Sequence, residues 1–147
     1  MADRLCIQLA DAVVADLNGT EFSLSFTAAR RYRPIEDLKK FKDLVVTVIP
    51  ADEEHEELTR AEDDKTFTIH VGVQKKVDVS DESALDAAMK PLLQLVEELI
   101  DHFRAKRYTS PAAICFKRAN RPVWLPRHLE ELHQLTSVVV LSFRIVA

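Results

Sequence analysis

His128 and His133 stand five residues apart, and His55, His70 and His102 are scattered along the chain. Two histidine ligands on one helix face need a separation of four, so that successive turns bring both imidazoles to one ion. A separation of five breaks that alignment, and no cysteine lies near the pair, so the spacing gives no metal site. His70 falls on the polar row of an alternating stretch, which makes it an exposed or interfacial residue. Ser110 and Ser137 carry hydroxyls, but a nucleophile needs a positioned base and donors for an oxyanion. Nothing around either serine marks such a group. Carboxylates are plentiful between Ala51 and Asp64. Acid–base work needs carboxyls in differing environments so that their pKa values separate, and a run such as Asp52-Glu53-Glu54 gives them similar ones. Gly19 and Gly72 are the only glycines. A phosphate-cradling loop needs several Cβ-free positions, so that chemistry is excluded. The residues imply no catalytic group, no metal and no cofactor.

What the sequence does contain is a segregation of charge. From Ala51 to Asp64 eight carboxylates (Asp52, Glu53, Glu54, Glu56, Glu57, Glu62, Asp63, Asp64) face Arg60 alone, a net of −7 within a chain of net −4. From Arg30 to Lys42 six cations (Arg30, Arg31, Arg33, Lys39, Lys40, Lys42) outweigh Glu36 and Asp37, a net of +4. Blocks of one sign are solvated loops, or they meet across subunits, or they repel a polyanion. Arg30-Arg31-Tyr32-Arg33 interleaves cation and aromatic in the way of a phosphate-following edge, but the overall acidity and the lack of a recognition helix weigh against direct nucleic-acid binding.

The elements that must position these charges are legible from periodicity. Phe67, Ile69, Val71 and Val73 alternate with Thr66, Thr68, His70, Gly72 and Gln74, which predicts a strand over Thr66–Val77 with one row in a core. Thr136–Val146 is rich in β-branched and aromatic residues and predicts a second long strand. Leu44–Ile49 is apolar on both faces and reads as a central strand, stopped by Pro50. Phe22–Tyr32 starts as a half-buried strand that Pro34 ends. An opening helix spans about Arg4 to Leu17, with Asp3 as its N-cap and Asn18-Gly19 as a left-handed C-terminal cap. Ser80 or Asp81 caps the main helix, which runs to about Lys106 with Leu85, Met89, Leu92, Val96, Leu99, Ile100 and Phe103 as its buried stripe. Pro91 should kink or divide it. Short helical turns are expected at Ile35–Lys42, with Leu38 and Phe41 as anchors, and at Arg127–Gln134. A short strand is expected at Ala112–Lys117. The acidic segment reads as a loop, with one helical turn allowed around Glu54–Arg60.

The expected fold is α+β, a single mixed or antiparallel sheet with a long helix and an N-terminal helix packed on it. At 147 residues, 47% hydrophobic and 30% charged, the chain suits one domain over 1–147 that buries roughly two-thirds of its unfolded surface. Cys6 and Cys115 sit in apolar surroundings and read as buried free thiols rather than a disulfide. No signal peptide is visible, and no apolar run approaches the ~18 residues that span a bilayer. The expectation is a protein kept in a cytosol or assembled there into something larger.

Four stretches carry a resemblance: Ile7–Leu17 as the opening helix, Thr68–Val77, the helix Leu92–Arg104, and His128–Phe143. In order and phrase they resemble the small tail-completion or tail-terminator proteins of long-tailed bacteriophages, the class that includes minor tail protein U. The resemblance implies a sheet with helices packed on it, and a ring of self-associated subunits, six in number. The ring caps the head-proximal end of the tail tube, ends its polymerisation and docks tail to head in the virion, after assembly in the host cytoplasm. The partners so implied are further copies of the chain, the tail tube protein and a head-closure or adaptor protein. No membrane is implied, and DNA enters only as passing cargo. A head-closure or neck-adaptor protein shares much of the pattern, and an unrelated cytosolic α+β binding module shares the architecture. Within a ring, Arg30, Arg31, Arg33, Asp52, Glu53, Glu54, Glu56 and Glu57 become the candidate subunit interface or channel lining.

Overall fold

In the computed structural model, which describes residues 4–33 and 43–146, two long strands form the middle of the molecule. They are β3 (Asp63–Lys76) and β6 (Gln134–Val146). They pair antiparallel from Asp64 opposite Val146 to Lys76 opposite Gln134. Phe67, Ile69, Val71 and Val73 on β3 are fully buried, as are Val139, Leu141 and Phe143 on β6. The register sets Phe67 opposite Phe143, Ile69 opposite Leu141 and Val71 opposite Val139. The period-two pattern therefore places both apolar rows on one face.

The other strands are β1 (Ala28–Arg30), β2 (Val45–Glu57), β4 (Arg107–Thr109) and β5 (Ala112–Asn120). The order across the sheet is β1-β2-β3-β6-β5-β4. β1 runs parallel to β2, and the remaining neighbours are antiparallel. The sheet is mixed and the fold is α+β. Among the described residues three helices complete it: α1 (Leu5–Asn18), α2 (Glu82–His102) and α3 (Pro126–Leu132). Leu9, Ala10, Val13 and Leu17 of α1, and Leu95, Val96 and Leu99 of α2, join the buried rows of the sheet in one cluster. Leu92 packs instead with Met89 and Leu135 in a smaller one.

Several sequence expectations need correction. The acidic segment is not a loop and holds no helical turn. β2 continues through it to Glu57, and β3 begins at Asp63. Only the tip between them is a turn, closed by Leu58 and Thr59 N–H donating to the Glu62 carbonyl at 3.1 Å. Nor does Pro50 stop β2. The ladder shifts register between Pro50 and Asp52, leaving Ala51 as an extra residue, and β1 has ended by that level. A residue without an N–H is tolerated at a bulge on a strand edge.

Phe22–Phe26 do not join the sheet; only Ala28–Arg30 do. Phe22 stacks on Phe26 at 5.6 Å and meets His102 edge-on at 5.4 Å, so these rings cover helix ends. The Asn18 side chain then serves Ala28 as a strand partner does, accepting from its N–H at 2.7 Å and donating to its carbonyl at 3.1 Å. Gly19 closes α1 with a right-handed φ of −92°, not a left-handed one. Asp3 and the turn expected at Ile35–Lys42 lie outside the described residues. α2 is capped by Asp81, whose Oδ1 accepts from Ala84 N–H at 2.7 Å. It runs undivided past Pro91 and ends at His102, short of Lys106. β4 has no counterpart in the sequence reading, and β5 runs three residues beyond Lys117.

Phe103 is fully buried and meets Phe143 edge-on at 6.5 Å. Phe103→Ala removes a ring from the junction of α2 and β6 and is expected to cost ~3–5 kcal/mol. A lowered urea midpoint checks it, and an unchanged midpoint contradicts the packing of α2 on this face.

Candidate functional site

The acidic residues line the outer edge of the sheet. Asp52, Glu54, Glu56 and Glu57 are exposed on β2 and Glu53 is half-buried. β1 pairs only with Val46, Thr47 and Val48, and the Arg31 N–H adds one bond to the Val48 carbonyl. Beyond that point, among the described residues, the backbone of β2 has no partner on its outer side. Charged side chains along a bare edge discourage indiscriminate strand pairing. Part of this charge is balanced within the chain. Glu53 Oε1 accepts from Arg4 Nη2, and Glu53 Oε2 lies 3.1 Å from His55 Nε2. Arg144 Nε donates to Asp64 Oδ1 at 2.8 Å, which holds the guanidinium above its ordinary pKa.

The basic stretch lies on the same side. Arg30 donates through Nε to Asp11 Oδ1 at 2.8 Å and through Nη1 to the Tyr32 hydroxyl at 2.9 Å, and its own pKa is raised by those two bonds. Its guanidinium also stands 5.6 Å from the Tyr32 ring centre. Tyr32 and Arg33 border a shallow cleft with Ile49, Pro50, Ala51, His70, Gly72 and Val138. Burial pushes the His70 imidazole below its ordinary pKa, against the pull of Asp52. Arg30, Arg31 and Arg33 thus flank the base of the acidic edge. Lys39, Lys40 and Lys42 lie outside the described residues.

A polar cluster that the sequence did not announce sits where α1, α2 and β4 meet. Asp16 Oδ2 accepts from the Tyr108 hydroxyl at 2.7 Å and from His102 Nε2 at 2.9 Å, and Oδ1 lies 3.3 Å from Lys106 Nζ. Burial raises the pKa of Asp16, but the two hydrogen bonds and the nearby charges outweigh it and leave the carboxyl below its ordinary value. Burial, then Asp16, raises the Tyr108 pKa far above the ordinary range and keeps its proton on. His102 and Tyr108 are 86 and 92 residues away from Asp16 in sequence, so only the folded chain joins them.

Cys6 is half-buried and Cys115 buried, both as free thiols. Burial raises the Cys115 pKa, and its Sγ donates to the Lys117 carbonyl. His128 is buried beside Thr136, its Nδ1 2.7 Å from the Thr136 hydroxyl. Ser137 is buried and receives a bond from Asn120 Nδ2 at 3.0 Å. Among the described residues no three of His, Cys, Asp and Glu converge on one point, and no helix is long and apolar enough to cross a membrane. Among the described residues the large exposed apolar side chains are Tyr32, Leu58, Phe116, Val123 and Trp124.

Asp16→Asn keeps the shape of the cluster and removes its charge. The expected cost is about 2 kcal/mol at neutral pH, within the range for hydrogen bonds to a charged group. Asp16 titrates lower folded than unfolded, so its contribution is complete above its ordinary value of 3.8 and fades as pH falls through the folded value. Urea unfolding of wild type and variant should therefore differ at pH 7 and converge in acid. A constant difference down to pH 2 contradicts this assignment.

Compared with known proteins, the chain matches no family model, and no curated protein matches it.

Proposed function

We propose that this protein is a virion ring protein of a long-tailed bacteriophage. In this reading it caps the head-proximal end of the tail tube, ends tube growth and joins the tail to the head. It is built in the host cytoplasm from copies of itself, six to a ring, with tail tube protein on one face and a head-closure or adaptor protein on the other. What supports the reading is the place of the four stretches that carry the resemblance. They correspond to α1, most of β3, the second half of α2 with Phe103 and Arg104, and α3 with most of β6. Leu9, Val71, Leu99 and Leu141, one from each, belong to a single core cluster. The resemblance thus falls on the frame of the fold and not on an isolated segment.

The role asks for surfaces, not for an active site. A ring subunit needs two differing sides that meet head to tail and two ring faces for differing neighbours. The acidic edge suits either a subunit boundary or the rim of a channel. In a channel its field repels passing DNA without any specific contact.

A phage lacking this protein is expected to make tails of uncontrolled length, or tails that do not join heads. Electron microscopy of a lysate separates the outcomes. Overlong tails support the terminator role, and tails of normal length left free of heads move the protein to the neck. Normal tails joined to filled heads contradict both.

A further inference from the structure

The strand registers align one row of residues across the whole sheet. Glu54 on β2 lies opposite Thr66, Thr66 opposite Arg144, Arg144 opposite Ile114, and Ile114 opposite Arg107 on β4. The row begins in an exposed carboxylate on one open edge and ends in an exposed guanidinium on the other. The two edges stand about 20 Å apart, four strand spacings. Both are open: β2 lacks an outer partner beyond Val48, and β4 has only β5, among the described residues. Their charges differ as wholes. Glu54, Glu56 and Glu57 line one edge, with Glu56 in the field of Arg144, whereas Arg104 and Arg107 flank the other. A shallow cleft lined by Arg107, Thr109, Ala112, Ile114 and Arg144 runs along the β4 side.

From this we propose that the β2 edge of one copy docks against the β4 edge of the next, with Glu54 meeting Arg107 of the neighbouring copy. The partner is a second copy of this chain. The alternative basic surface, Arg30–Arg33, flanks β2 itself. Matching it to a neighbour's acidic edge sets like edge against like edge, which makes a two-fold dimer and no larger ring. Opposite edges meet head to tail and repeat. β2 and β4 also run in the same direction, since four antiparallel pairings, through β3, β6 and β5, lead from one to the other. A rotation about an axis along the strands therefore brings β4 beside β2 in parallel, with the register row at one height. Each exposed pair adds little strength. Their contribution is to fix which edges meet and at what register, and it weakens as salt screens them. The inference rests on the ring reading for closure only; the contact itself follows from the edges.

Charge exchange tests it. One chain carries E54R, E56R and E57R; the other carries R104E and R107E. Each alone should sediment as monomer where wild type assembles, and an equimolar mixture should assemble again, with alternating copies. Either reversed chain assembling as wild type does, or a mixture that stays monomeric with both chains folded, overturns the contact. A second arm needs no charge reversal: E54C and R107C chains are mixed under mild oxidation. A disulfide between the two substituted positions, identified by peptide mass spectrometry, is expected. Its absence, or a wild type that stays monomeric at every concentration, also overturns the contact. A ring that survives both reversals leaves the tail reading standing, whereas normal, head-joined tails in the deletion phage leave the edge contact standing.

Discussion

The pairing of β3 with β6 is the constraint on which the rest depends. It joins residues on either side of α2 along nearly the full length of both strands. Because side chains alternate with a period of two, a slip of one residue turns Phe67, Ile69, Val71 and Val73 to the wrong face. A slip of β6 instead turns Val139, Leu141 and Phe143 away from the core. The register is therefore specified by the core, and the core by the register. Phe103 and Tyr108 close this unit at one end, both against the Phe143 ring. Tyr108 is tied in turn to Asp16 on α1. The end of α2, the last turn of α1 and β4 are thus fastened together by one carboxylate, in a region where the edge of the sheet must hold its shape.

A fixed central pairing also fixes what reaches the edges. The six-stranded sheet is bounded by β1 with the bare length of β2 on one side and by β4 on the other. Bare edges invite association, and the chain places charge of opposite sign on the two of them. Like edges then repel and unlike edges attract, so specificity comes from repulsion as much as from attraction. In the proposed role the functional information lies in where charges stand relative to unpaired backbone. Burial holds Cys115 and Tyr108 protonated, and His128 is held among Thr136 and Gln134.

The core was legible in the sequence because its signals are periodic. The alternation from Phe67 and the stripe through Leu99 and Phe103 each name one buried face; the strand face forms as expected, and the helix face forms with Leu95 added and with Leu85 and Ile100 only half-buried. The acidic segment was misread because composition outweighed geometry. Eight carboxylates suggest solvent, and solvent suggests a loop, but a strand edge is equally solvated and its ladder with β3 needs no apolar residue. Pro50 was read as a stop because a central strand cannot hold it, and the strand proved to be an edge at that level. Phe22, Leu24 and Phe26 alternate as a strand does, yet they pack against the core without joining a ladder, with Phe22 edge-on to His102 at the end of α2. Arg107 escaped notice because β4 is three residues long, too short for any period. Asp16 escaped because its partners are distant in sequence.

The measurement that bears most directly on the account is a reconstruction of the tail's head-proximal end at a resolution that traces strands. The expected result is one closed layer of this chain between tube and neck, in which the β2 edge of each copy lies beside β4 of the next and Glu54 faces the neighbour's Arg107. A junction that contains no copy of this chain, or a layer closed through other surfaces, contradicts it.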